Sequence, residues 1–231
     1  MVQQQGIIKG DVLQRIGSVG FIIGAILLVI CHFLIPHSSP GNPQDLLRPY
    51  GQQPGLTTMF ALLYAVGFWG LMIGWVGVYR SISTGGAAAW ARLGFYGVVV
   101  GTTLYTISWA LLMATAARAA IWLAAPDAAK IAAVHAAGAL YAAFWAMQAM
   151  RIIVYWLALV FLGIGMVLSA VYPRWMGWVV IVLGIVQMVV GGFIPLFGGP
   201  PSATSMIFDV LLALTGLWAL VIGIWVARKA W

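Results

Sequence analysis

The chain contains no glutamate. Its acids are four aspartates, Asp11, Asp45, Asp127 and Asp209, set against eleven Lys and Arg in 231 residues. Charged residues make up 6% of the sequence, where a soluble domain carries about 25%. So few ionisable groups cannot clothe a water-facing surface. A soluble globular enzyme, a disordered chain and a coiled coil are excluded on that ground. A single cysteine, Cys31, excludes an intrachain disulfide and a cysteine-rich metal site. No basic run exceeds Arg228-Lys229, so a nucleic-acid partner has no electrostatic footprint here.

What is present is apolar: 64% of residues, with 28 glycines and 12 tryptophans. A helix needs about 20 apolar residues to cross a bilayer. Runs of that kind lie at about 16–35, 58–78, 93–117, 152–171, 175–197 and 206–227. The pattern predicts a single all-α domain over 1–231, a polytopic transmembrane helical bundle with six spans. The first span is longer than a signal-peptide core and lacks a small-residue cleavage site, so it is expected to stay in the protein.

The segment 131–150 is uncharged, but nine of its twenty residues are Ala, which is weakly lipophilic. Only Arg151 separates it from the next run, too little for a helical hairpin loop. One helix from 131 to 172 would be about 63 Å long, roughly twice the hydrocarbon thickness. The expectation is an Ala-rich interfacial helix over about 126–145 that leads into span four.

Charge placement sets the topology. With the N-terminus inside, seven basic residues face the cytoplasm: Lys9, Arg15, Arg80, Arg92, Arg174, Arg228 and Lys229. Four fall outside: Arg48, Arg118, Lys130 and Arg151. This is the bias of a cytoplasmic (inner) membrane protein with both termini cytoplasmic. Trp and Tyr cluster near the same borders, among them Trp75, Trp90, Trp175, Trp178 and Trp231 inside and Tyr50 and Trp122 outside.

Gly67, Gly70, Gly74 and Gly77 share one face of span two, and Gly94, Gly97 and Gly101 share one face of span three. Small residues at this spacing let helices approach closely. Spans two and three are expected to pack on each other through these stripes. The alternative use of the stripes is an interface with another subunit.

The spans carry charge only at their ends, which disfavours ion-coupled transport. Gln187 is the most central polar side chain. The other candidates gather at the outer mouth: His32, His37, His135 and three of the acids. His with carboxylate could hold Zn or Cu, and two His at one depth could hold haem. Quinone, carotenoid or lipid needs only an apolar groove with a few polar groups, such as Gln148, Arg151, Arg118 or Gln187. The Pro-rich loop from Pro36 to Leu56 reads as a lid, a docking segment or a cap over the bundle.

The turn Tyr172-Pro173-Arg174-Trp175-Met176-Gly177-Trp178 resembles the Pro-Arg-Trp-Leu-Gly-Trp junction of an uncharacterised bacterial family of six-helix integral membrane proteins, a domain of unknown function. The order of spans and the extended outer loop agree with it. The resemblance implies a fold and carries no catalytic residue. The leading functional expectation is a non-enzymatic accessory or scaffolding subunit of a membrane complex, in contact with membrane lipid, with other membrane subunits as the second candidate partner. A membrane enzyme or metal protein and a small-molecule transporter are the alternatives.

Overall fold

The computed structural model describes residues 11–36, 42–194 and 201–231. These form seven α-helices: α1 (Val12–Leu34), α2 (Pro43–Gln52), α3 (Pro54–Ser81), α4 (Gly85–Ala124), α5 (Asp127–Leu168), α6 (Arg174–Gln187) and α7 (Pro201–Ala230). A π-helical turn, Met188–Phe193, extends α6. Six helices are long and apolar enough to cross a membrane, with α6 and its π turn counted as one. The protein is an all-α, multi-pass membrane protein.

The six long helices run alternately up and down. One side of the bundle therefore collects the start of α1, the α3–α4 and α5–α6 turns and the end of α7. Arg15 ties that side together: its Nε donates to Ala230 O at 3.1 Å and its guanidinium lies over the Trp231 ring. Arg80, Arg92, Arg174, Arg228 and Lys229 are on the same side. Trp90, Trp175, Trp178 and Trp231 are exposed there, as expected of rings at a headgroup border. Trp75, Trp122 and Tyr50 correct that expectation. All three are buried, and Trp75 packs edge-on against Phe21 and stacks on Trp218.

The glycine stripes form close seams, but not with each other. A Cβ on Gly67 or Gly70 would meet Gly24 or Gly20 backbone, one on Gly74 would meet the Phe21 ring, and Gly77 approaches Gly17. The α3 stripe therefore seats α1. On α4, Gly94, Gly97 and Gly101 lie against Leu162, Ala158 and Tyr155 of α5. The expected glycine seam between spans two and three is absent. These helices meet instead through aromatic faces, Phe68 stacked on Tyr105 at 3.6 Å and Tyr64 beside Trp109 at 4.3 Å. A helix has several faces, and the glycine face of α3 was already committed to α1.

The Ala-rich segment also departs from expectation. Residues 126–145 do not form a separate interfacial helix; Pro126 caps α5 and residues 127–145 belong to it, one helix of 42 residues. Alanine has the best helix propensity and nothing between Asp127 and Arg151 breaks the helix. Its excess length is matched by α4, with 40 residues. The two pair as an antiparallel hairpin closed at Ala125-Pro126. The loop before α3 also gains a helix, α2, capped by Asn42 and packed along α4, with Gly51 against Ala119 and Tyr50 beside Tyr141.

Candidate functional site

Two helices each offer an aromatic pair four apart, Tyr64 and Phe68 on α3 and Tyr105 and Trp109 on α4, and α5 adds Phe144, Gln148, Arg151 and Tyr155 at spacings of four, three and four. Spacing of three or four puts such residues on one helix face. The three faces converge. The Arg151 guanidinium carbon lies 4.4 Å from the Tyr105 ring centroid, 4.8 Å from Trp109 and 5.7 Å from Phe144. Arg151 Nη2 donates to Gln148 Oε1. The arginine is 3% exposed, and its Nε and Nη1 have no hydrogen-bond partner.

This overturns the expectation that Arg151 marks a helix end and that the bundle interior holds no ionisable group. Helix geometry gives its depth. Arg151 is seventeen residues from Leu168, and its ring neighbours connect it through Trp109 and Tyr64 to His32, seventeen residues from Arg15. Each path is about 25 Å at 1.5 Å per residue. In a hydrocarbon core of about 30 Å, Arg151 sits inside the bundle, within the last fifth before the border opposite the chain termini.

Below the cage lies a cavity of about 20 Å³, lined among others by Phe21, Phe68, Trp75, Tyr155, Trp156 and Trp218. That is room for about one water molecule. The cavity and the cage share the aromatic cluster, since Tyr105 touches both Phe68 and Tyr155. Tyr155 Oη faces the Trp75 indole without closing a well-formed hydrogen bond. Gln187 is not part of the cavity lining. It is fully buried at the end of α6, one turn from where Gly184 meets Trp156 O, and both its amide atoms lack partners.

The remaining sequence candidates are dispersed. Arg118 is exposed on α4, beyond the cage. His32 is half-buried at the end of α1 against the Phe33 and Tyr64 rings. His135 is exposed on α5, sixteen residues from Arg151, or about 24 Å along the helix. His32 lies at the level of Arg151, so these two histidines do not share a depth, and a haem between them is not formed. His37 lies outside the described residues. Among the described residues, no group of three His, Cys, Asp or Glu is placed to hold a metal. No known protein family, curated protein or solved structure matches the chain.

Proposed function

We propose that the protein is a non-enzymatic membrane component, an accessory or scaffolding subunit that docks a partner membrane subunit and holds lipid, quinone or pigment between its helices. The carrying observation is the α4–α5 hairpin. From Arg151 to Asp127 about 36 Å of helix remain, more than a whole hydrocarbon core. That projection carries few charges, the Asp127–Lys130 pair at its tip among them. Yet Ile131 is 70% exposed, and Ile121 is exposed as well. An apolar surface held beyond the bilayer is the mark of an interaction site. The Arg151 cage, with two buried guanidinium nitrogens left without a hydrogen-bond partner, supports the ligand-holding half of the reading.

The belt of six basic residues on the terminal side favours cytoplasmic termini in a bacterial inner membrane. The hairpin then projects on the outer side. A photo-crosslinking residue at Ile121 or Ile131, activated in native membranes, is expected to capture a discrete membrane protein. Purification as a lone monomer with no adduct and no lipid-like ligand would overturn the proposal.

A further inference from the structure

Of the four aspartates, one lies beyond the first turn of a long helix. Asp11 caps the start of α1, Asp45 is exposed on α2, and Asp127 pairs with Lys130 at the hairpin tip. Asp209 lies two turns inside α7.

The glycines of α7 give its register against α1. Gly223 lies against Ser18 and Phe21, and Gly216 lies against Ala25 and Val29. Seven residues of α7 thus match seven or eight of α1, run in the opposite direction. Seven more bring residue 209 opposite residues 32–36, where His32 stands. A step of seven also returns to nearly the same face of a helix, about 20° off. Asp209, Gly216 and Gly223 therefore share the stripe of α7 that runs along α1, and Ser18, Ala25 and His32 share one stripe of α1. The outward line of α7 is a different one, with Ile207, Val210, Leu214, Leu217 and Val221 exposed.

His32 is half-buried at this level, its ring centroid 6.3 Å from that of Tyr64. Tyr64 lies 4.3 Å from Trp109, and the Arg151 guanidinium lies 4.8 Å from the same indole. One layer thus draws an imidazole from α1, an aspartate from α7 and an arginine from α5. Its other titratable groups are the phenols of Tyr64 on α3 and Tyr105 on α4. The charge of α6, Arg174, is at the opposite end, and Asp45 and Arg48 of α2 are exposed.

Acids and histidines within membrane spans are costly, pair with a neighbour and mark proton or ion sites. Imidazole is the side chain that exchanges a proton near neutral pH. With Arg151 charged and Asp209 ionised, the layer is neutral while His32 is neutral. A proton taken from water onto the His32 ring adds one positive charge.

We infer that His32 and Asp209 form a proton-binding imidazole–carboxylate pair between α1 and α7, in one layer with Arg151. The pair makes the end of the bundle opposite the termini the place where the protein responds to pH. The inference goes beyond the docking and ligand-holding reading and depends on neither.

The test uses the full chain, isotope-labelled at histidine and purified in a neutral detergent. Imidazole resonances are followed by NMR between about pH 5 and 8, with His37→Gln and His135→Gln assigning the signals. His32 is expected to titrate in that window. Asp209→Asn is expected to move its midpoint by about one pH unit or more, and Arg151→Gln to move it in the opposite sense, while the His37 and His135 midpoints stay. A His32 signal that keeps one protonation state throughout, or an unchanged midpoint in Asp209→Asn, overturns the pair. Movement in the same sense by both variants overturns the part given to Arg151. A second measurement holds if Asp209→Asn fails to fold. In a Cys31→Ala background, His32→Cys combined with Asp209→Cys is expected to crosslink under mild oxidation, and His32→Cys combined with Val210→Cys is not. Failure of the first pair, or equal crosslinking of both, overturns the register. Neither readout involves a hairpin partner or a lipid-like ligand, so its failure and the failure of the proposed function are distinguishable.

Discussion

Gly24 and Gly67 meet backbone to backbone where α1 crosses α3. A Cβ built on Gly24 would lie 2.6 Å from Gly67 O and 2.8 Å from Leu71 N. Neither atom belongs to a flexible side chain, so a larger residue must push the helices apart. Gly24→Val is expected to lower stability by about 1–3 kcal/mol, the usual cost of overpacking. Gly138 supplies the control, because a Cβ there meets nothing within 4 Å. Gly138→Ala is expected to be neutral or stabilising by up to about 1 kcal/mol, through helix propensity. Denaturant unfolding in detergent checks both. Equal behaviour of the two variants would remove the α1–α3 seam as a close contact.

On the terminal side, Tyr172 Oη and Ser81 Oγ share a buried hydrogen bond of 2.8 Å that joins the α5–α6 turn to the end of α3. Ser81 Oγ donates to Val78 O, which makes Tyr172 the donor in the shared bond. Tyr172→Phe is expected to cost about 1 kcal/mol. A double-mutant cycle with Ser81→Ala should give a coupling of about 0.5–1.5 kcal/mol. Burial pushes the Tyr172 phenol up from its ordinary value of 10.0. Its folded value is raised, so its contribution is fully present below 10.0 and is lost as the pH rises above it. Between neutral pH and about pH 11, wild type should therefore lose more thermal stability than Tyr172→Phe. Equal losses would show that this phenol does not resist ionisation.

The projecting hairpin makes a geometrical prediction that separates it from a helix lying on the membrane. Cys31 is the single cysteine and is buried, so introduced cysteines can be labelled against a low background. Spin labels at the exposed positions between 128 and 142, which leave out the buried Ala137 and Tyr141, are all expected to be accessible to a water-soluble relaxation agent, with no matching rise toward oxygen in lipid at any of them. An interfacial helix would instead alternate between the two agents with a period near 3.6. Such alternation would sink the projection.

The fold was legible to different depths in different places. Six apolar runs and the terminal-side basic belt could be read directly, because span length and border charge are local properties. The Pro173 turn was legible too. Pro173 starts α6, Met176 is buried, and Gly177 meets Gly163 so closely that a Cβ would lie 2.7 Å from Gly163 O. The continuation of α5 through Arg151 was not legible, because it depends on α4 being equally long. Nor was the choice of neighbour for each glycine stripe, since the spacing identifies a face and not its partner. Arg151 was misread for a related reason. A lone arginine after an Ala-rich segment looks like a border. The signal that could have placed it inside is distributed: Phe144, Gln148, Arg151 and Tyr155 on one face, with aromatic pairs four apart on α3 and α4.

Gln187 gives the sharpest test of whether the interior holds more than side chains. It is fully buried, and neither amide atom has a partner. It immediately precedes the π turn of α6, a distortion that often accompanies a functional site. An unsatisfied buried polar group costs about 1–3 kcal/mol. Methionine has a similar length and no such need. If the amide is unpaired in the membrane, Gln187→Met is expected to hold or raise the thermal midpoint by a few degrees, the shift that about 1 kcal/mol produces. A clear fall would mean that Gln187 bonds to a water or a bound molecule in the bilayer. Comparing the variant before and after delipidation separates those two: a fall that disappears on delipidation assigns the partner to a lipid-like ligand, and one that persists assigns it to water.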